Sequence, residues 1–374
     1  MTTAPRTLTI LQLAANRWWT GSADPTIRLV TGLAARGHRV HLGVVRGDRF
    51  EAKAREAGIE PLRHFDLRPR GWPLPIVRDL RRLRALVAQE SVDVVHVHHS
   101  HDHWLARLVA LALPRRVPVV RTFHNLRAVN AGRAARWLYR GTAAVFAVSR
   151  SIEARCRDVG IPAARVVWTP GIADTARFQP DTDGRVIRDE FGLGAAPVVV
   201  SVSRLSANRG HETLLTGFKV LLEHIPEARL LLVGKGESLR HLERLVDDLG
   251  LGRAVVFTGY RDRDLPAVVA AADCFALMGA GSDESCRAAL EAMAAGRPVV
   301  ARRVGALPET VVDGETGVLL EDDSAERVAA ALQRLLTDRA VASTMGRAGR
   351  RRAEDVFSAE HAVSIVEAVY RTVA

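Results

Sequence analysis

Short apolar runs alternate with amphipathic stretches along the whole 374-residue chain. The runs 8–14, 39–45, 92–98, 117–123, 143–149 and 165–170 are rich in Val, Ile and Leu and short enough to be buried strands. Between them, 25–37, 75–89 and 102–113 carry apolar residues at helical spacing. A strand–helix–strand rhythm of this kind builds a parallel sheet covered by helices on both faces. The rhythm breaks over 171–194, where Pro180, Asp181, Asp183 and Gly184 crowd together, and we read that stretch as a link. It restarts with strands at 196–204, 228–234, 254–259, 273–279 and 298–303, interleaved with helices at 211–223, 238–249 and 264–272 and after Ser285. A helical tail runs from about 323 to 374. The expected fold class is α/β: two Rossmann-like, doubly wound lobes in series with a cleft between them, binding ligands at the carboxyl ends of the strands.

Composition supports a globular chain. It is 48% hydrophobic and 25% charged, which excludes a disordered tail, a collagen and a coiled coil. Cys156, Cys274 and Cys286 are odd in number and far apart, so neither a disulfide framework nor a CxxC site is suggested. The first residues lack the basic and long apolar regions of a signal peptide, and no apolar run reaches the ~18 residues of a membrane span. A cytoplasmic protein is expected, at the inner face of the membrane if at any membrane. The net charge is +11, and 31 of 53 basic but only 17 of 42 acidic residues fall in 1–190. An acidic partner should therefore meet the first half: nucleic acid, anionic lipid or a phosphorylated small molecule. No helix-turn-helix, zinc-finger or RNP pattern supports nucleic acid.

Two stretches carry the densest chemistry. In SDESCRAALEAMAAGRPVVA (282–301), Asp283 precedes a helix whose free N–H groups form an anion site, and Glu291 lies inside that helix, where a carboxylate can accept from vicinal hydroxyls. A capped surface helix reads equally well from the spacing. In SVSRLSANRGHETLL (201–215), Arg204 and Arg209 flank a strand-to-helix turn and can clamp a diphosphate, or stand as two exposed turn arginines. His96, His98, His99, His101 and His103 invite a metal reading, but no second ligand segment follows and we assign none. His98 and His101 are candidates for an acceptor contact, as are Trp18 and Trp19, which follow the first strand and either stack on a sugar or lipid or pack internally.

The ordered set of stretches resembles a large family: the retaining, nucleotide-sugar-dependent glycosyltransferases of family 4, with the GT-B fold. The likeness runs through GSADPTIRLVTGLAARGHRV (21–40), DVVHVHHSHDHWLA (93–106), VPVVRTFHN (117–125) and AVSRSIEARCRDVGIPAARVVWTPGIADTARF (147–178). It continues through GKGESLRHLERLVDDLGL (234–251) and VVFTGYRDRDLPAVVAAADCFALMG (255–279) to LEAMAAGRPVVARRVGALPETVVDGETGVLL (290–320), the most specific match. The resemblance implies an N-terminal acceptor-binding lobe over 1–180, a nucleotide-sugar lobe over 181–355 and a C-terminal helix, 356–374, packing back on the first lobe. It implies that Arg204 and Arg209 (in place of a usual Lys) bind the diphosphate, that Asp283 and Glu291 are the two acids of a Glu-x7-Glu motif, and that Glu291 holds the ribose. His124 falls beside the transferred sugar. Gly21, Ser22, Gly234, Tyr260, Arg261, Glu284, Ser285, Cys286 and Arg287 fall in the donor-binding loops, with Arg261 near the base.

The chain departs from the family pattern at Ser22 for a second Gly, at Asp283 for Glu, and at Glu284-Ser285-Cys286 for Gly-Phe-Gly. The implied activity is transfer of a sugar, with retention, from a UDP- or GDP-sugar to a glycan or lipid-linked acceptor of the cell-envelope polysaccharide or lipopolysaccharide type. Neither a cofactor nor a metal is implied. The alternatives are a non-catalytic sugar-binding relative and a nucleotide-sugar 2-epimerase. The Arg-rich segments 76–90 and 127–140 read as solvated faces or as contacts with anionic lipid.

Overall fold

A computed structural model describes residues 6–15, 22–63, 65–67, 74–281 and 285–374. The chain divides into two compact units, 1–171 with 359–374, and 172–358. The divide falls at 171/172, earlier than 180/181, because Ile172, Ala173 and Phe178 are already buried and Ala173 and Phe178 belong to the second unit's core.

The first unit is a six-stranded sheet. Its strands are β1 (Thr9–Ala14), β2 (Arg39–Val44), β3 (Val94–Val97), β4 (Val119–Phe123), β5 (Ala144–Ala147) and β6 (Val166–Trp168). Its helices up to that point are α1 (Ala23–Ala35), α2 (Arg49–Glu56), α3 (Leu74–Gln89), α4 (Ser100–Ala112), α5 (Arg133–Arg140) and α6 (Arg150–Asp158). The order β2-β1-β3-β4-β5-β6 is parallel throughout. Parallel strands are buried on both faces, which is why they read as continuous apolar runs. In β4 the alternation is explicit: Val119 packs with Leu105 and Val109 on the α4 side, while Val120 packs with Phe146 and Tyr370 on the other.

The second unit holds β7 (Val198–Val202), β8 (Arg229–Val233), β9 (Val255–Gly259), β10 (Cys274–Leu277), β11 (Val299–Arg302) and β12 (Gly317–Leu320). Its helices are α7 (Arg185–Glu190), α8 (His211–His224), α9 (Leu239–Asp248), α10 (Leu265–Ala270), α11 (Arg287–Ala294), α12 (Leu307–Thr310), α13 (Ala325–Thr337) and α14 (Arg339–Asp355). The sheet order β12-β11-β10-β7-β8-β9 reverses direction between β7 and β10. Such a switch point separates two oppositely running crossovers and leaves a crevice at the carboxyl ends of those two strands.

The last helix, α15 (Ala359–Val373), belongs to the first unit. Val363, Val366 and Tyr370 pack with Leu29, Leu33 and Val120. Its Glu367 accepts from Arg36 at 2.7 Å, Arg371 at 2.6 Å and His38 Nε2 at 3.1 Å. His38 Nδ1 accepts from the Leu8 N–H at 3.1 Å, which leaves Nε2 as the donor to Glu367. Burial opposes ionisation, yet these donors hold Glu367 at about 2, below its ordinary 4.5. A depressed carboxylate contributes stability above its unfolded pKa that is lost as pH falls through the folded value. We predict that stability declines between about pH 4.5 and 2, and that Glu367→Gln removes that part of the slope in denaturant titrations at stepped pH.

Candidate active site

The switch point of the second sheet gathers most of the described donor-site residues. Arg204 follows β7, and Arg209 sits just before α8, across a turn containing Asn208 (φ 64°) and Gly210 (φ 71°). A Cβ on Gly210 would lie 2.4 Å from Met278 Cβ, and one on Gly279 would lie 2.7 Å from the Arg209 carbonyl carbon. The turn is therefore pressed against the end of β10, and only glycine permits that approach. Gly234, at φ 148°, ends β8 in the same way: an added Cβ would lie 1.9 Å from the Ser203 carbonyl oxygen. The ends of β7, β8 and β10 are thus drawn together by backbone contact.

The two guanidiniums differ in setting. Arg204 is exposed and donates to Glu237 from Nη2 at 2.9 Å and from Nε at 3.2 Å. An ion pair this exposed is weak because solvent screens it, so an anion can displace Glu237 at small cost. Arg209 is half-buried, and its Nε donates to Ser206 Oγ at 3.3 Å. Burial, and then the charge of Arg204, lower its pKa. Behind the turn, His211 Nε2 and Ser203 Oγ are 2.9 Å apart, and burial brings His211 down to about 4.

Helix α11 begins after Cys286, which adopts a left-handed conformation at φ 51°. Its Sγ lies 3.6 Å from the Ala280 carbonyl oxygen, tying the start of the helix to the end of the β10 loop. Ser285 and Cys286 are buried. Glu291, one turn into the helix, is buried, and Arg287 Nε lies 3.3 Å from its Oε1. Asp283 and Glu284 lie outside the described residues, as do Gly21, Trp18 and Trp19. Ser22 is buried at the start of α1, where its carbonyl accepts from Thr26 Oγ1 at 2.9 Å.

Tyr260 is exposed, with Lys235 Nζ 5.3 Å from its ring centroid. Arg261, expected near a base, pairs with Glu190 and with Asp264 at 2.7 Å, and lies over Phe191. The Glu190 contact was not legible in the sequence, because Glu190 is 71 positions away.

The first unit's histidines form a buried stack. His98 lies 4.4 Å from His96 and 5.5 Å from His124 between ring centroids. His98 Nε2 donates to Gln12 Oε1 at 3.0 Å, so its Nδ1 is the acceptor and His124 Nε2 donates to it at 3.2 Å. His96 uses both ring nitrogens, on Tyr370 Oη and on Thr122 Oγ1. Asp102 in α4 accepts from the backbone N–H groups of His99 at 3.1 Å and His98 at 3.3 Å, and fixes the turn that carries them. His98 was expected to face an acceptor. It is 3% exposed and supports His124 instead. His101 is half-buried on α4. Gln12 and Tyr370 were missed in the sequence, since each meets the stack from a distant segment; Asp102 was missed although it lies only three and four positions from His99 and His98.

Burial, then neighbouring positive charge, pushes His124 and His99 down to about 3; the same holds for His96. His98 is lowered well below its ordinary value by burial and the surrounding rings. A neutral imidazole of this kind can hold a hydroxyl by hydrogen bonding, but it is too weak a base to take a proton near pH 7. We predict that the imidazole resonances of His96, His98, His99 and His124 stay in the neutral form down to pH 4.5 in an NMR titration. A midpoint between 6 and 7 for any of them contradicts the buried stack.

With this geometry in view, comparison with known proteins is direct. The model of "Glycosyltransferase Family 4" matches residues 21–177, and that of "Glycosyl transferases group 1" matches 185–352. The chain belongs to the family 4, group 1 glycosyltransferases, with a GT-B fold. It is a glycosyltransferase that uses a nucleotide sugar. Among its relatives is the GDP-mannose-dependent α-(1-6)-phosphatidylinositol monomannoside mannosyltransferase of Mycolicibacterium smegmatis, 34% identical over 82% of this chain and 83% of the relative. A glycosyltransferase structure from Rickettsia africae superposes with a TM-score of 0.87 at 19% identity, covering 99% of both chains. An Anabaena protein solved with UDP and glucose superposes at 0.81 and 21% identity, over 98% of this chain and 99% of that one.

Proposed function

We propose that the protein transfers a hexose, with retention of anomeric configuration, from GDP-mannose or a similar GDP- or UDP-sugar to a hydroxyl of a lipid-linked or glycan acceptor. The observation that carries this reading is the pair Arg204 and Arg209, converging on the switch point beside the α11 N-terminus. The mannosyltransferase relative, which acts on a phosphatidylinositol mannoside, supports the donor and the lipid-type acceptor.

Negative charge grows on the departing diphosphate as the glycosidic bond breaks. Donors fixed in advance stabilise that charge without reorganising. Arg209 is held by the glycine contact with Met278, and Arg204 needs only to leave Glu237. Glu291 offers a carboxylate to the ribose hydroxyls. Retention by double displacement needs a carboxylate nucleophile. The carboxylate beside the histidine stack, Asp102, is 0% exposed and committed to two backbone N–H groups. Attack on the same face as the leaving group, with the departing phosphate taking the acceptor proton, fits better. His124 then positions rather than deprotonates. No metal or cofactor enters this scheme.

Membrane contact through the basic first unit is part of the same reading. No helix among the described residues is long and apolar enough to cross a membrane. The surplus arginines of α3 would bring the enzyme to a lipid-borne acceptor on an anionic surface.

The test is a panel of UDP-, GDP- and ADP-sugars, following nucleotide release with and without a lipid extract. Release that depends on both a nucleotide sugar and the extract is expected. Conversion of the sugar without any acceptor would favour an epimerase. Arg204→Ala and Arg209→Ala should each lower kcat by about 10²-fold or more. Wild-type rates in both variants would remove the clamp. Glu291→Gln should act mainly on the donor KM.

A further inference from the structure

Arg121 is a residue that the transfer chemistry does not use. It sits in β4, flanked by β3 and β5, and is 2% exposed. An ionised guanidinium in that position is costly unless it is paired and hydrogen-bonded. Yet its Nε and Nη1 have no hydrogen-bond partner. Asp102 is near enough to interact electrostatically, but its Oδ2 is spent on the His98 and His99 N–H groups, and its Oδ1 does not reach Arg121. His103 beside it supplies no anion, and its Nε2 donates to Thr142 Oγ1 at 2.9 Å.

Arg121 lines a cavity of about 290 Å³ between α4 and α5. Ser100, His103 and Asn130 also line it, and the rest of the wall is apolar, with Trp104, Phe123, Leu138 and the ring of Tyr139. The Tyr139 hydroxyl already accepts from the Asn130 N–H at 3.0 Å. Alanines and Gly132 at the rim keep the space open. The cavity thus pairs one buried, incompletely bonded guanidinium with aromatic and aliphatic walls. A mostly apolar pocket with a single convergent charge is the usual form of a small-ligand site, and this one is near the lower end of the size range.

We propose that the pocket between α4 and α5 binds a small organic anion, a carboxylate or phosphate monoester on a compact apolar body, held by Arg121. The planar guanidinium suits a two-oxygen anionic head, and the rings of Trp104 and Phe123 suit the body. The site lies wholly within the first unit and is separate from the diphosphate clamp. Because Asp102 lies beside both Arg121 and the backbone of His98 and His99, occupancy is positioned to reach the stack that supports His124.

Calorimetric titration of the full chain with phenyl phosphate, benzoate and inorganic phosphate tests this. Saturable binding of phenyl phosphate or benzoate is expected, the better probe identifying the head group, with inorganic phosphate weaker than phenyl phosphate. Arg209→Ala should retain the binding. Arg121→Met should weaken it about tenfold or more, the scale of a lost charge-assisted bond. Ligand-free Arg121→Met should be as stable as the wild type or more so, because an apolar side chain of similar length replaces a buried charge. Ala135→Leu, which fills the cavity and leaves Arg121 in place, should also abolish binding and covers the case in which Arg121→Met does not fold. Binding lost in Arg209→Ala but kept in Arg121→Met would place the anion on the clamp and overturn the proposal. Absence of saturable binding of both organic probes to the wild type would overturn it too.

Discussion

Parallel strands are the constraint on which the rest depends. Each sheet runs all its strands one way, so every strand-to-helix turn emerges at one edge. Where the order reverses, between β7 and β10 in one unit and β1 and β3 in the other, adjacent turns diverge and leave room for a ligand. The clamp arginines stand at the first of these points. Gln12 and His98, paired across the sheet in strand β1 and just after β3, stand at the second. Neither site needs a special element. Each follows from topology, and in the second unit glycines let the turns approach.

The first unit solves a harder problem, the burial of polar rings. His96, His98 and His124 are each at most 7% exposed, and a charged imidazole there would be expensive. Burial keeps them neutral, and the fold gives the ring nitrogens partners in sequence: Gln12 to His98, His98 to His124, and Tyr370 and Thr122 to His96. Tyr370 comes from α15, so the return of the C-terminal helix is part of what orders the stack. Helix packing and site geometry are one interaction at that point.

The fold was largely legible, because a buried parallel strand has a signal that depends only on its own residues. Not legible were β12 and the helices α2, α5, α6, α7 and α12. β12 is only Gly317–Leu320 and begins with a glycine, where a Cβ would lie 2.1 Å from the Val299 carbonyl oxygen. These helices are each four to nine residues, with at most three buried positions. A stripe that short has no clear period. Arg204, Arg209 and Glu291 were singled out from local spacing and family likeness. His98 was offered as an acceptor contact because it sits at a strand end that could line a cleft. Its partner Gln12 lies 86 positions away. The pairing of Arg261 with Glu190 on α7 was hidden for the same reason, its partner lying 71 positions away.

Net charge is a poor guide to the proposed donor clamp. The second half of the chain has more acids than bases, yet Arg204 and Arg209 lie together at the switch point. Arg209 is disfavoured as a cation by burial and by Arg204, two like charges that the turn holds together. That repulsion is present in the free enzyme. On the proposed function, a bound diphosphate would relieve it, and most when the diphosphate carries the extra charge of the broken glycosidic bond. An interaction that strengthens as charge develops lowers the barrier rather than merely tightening the ground state. A strongly basic lobe would attract any phosphate and favour substrate and product alike. Two guanidiniums held together at a switch point in a near-neutral lobe would favour the departing group in particular.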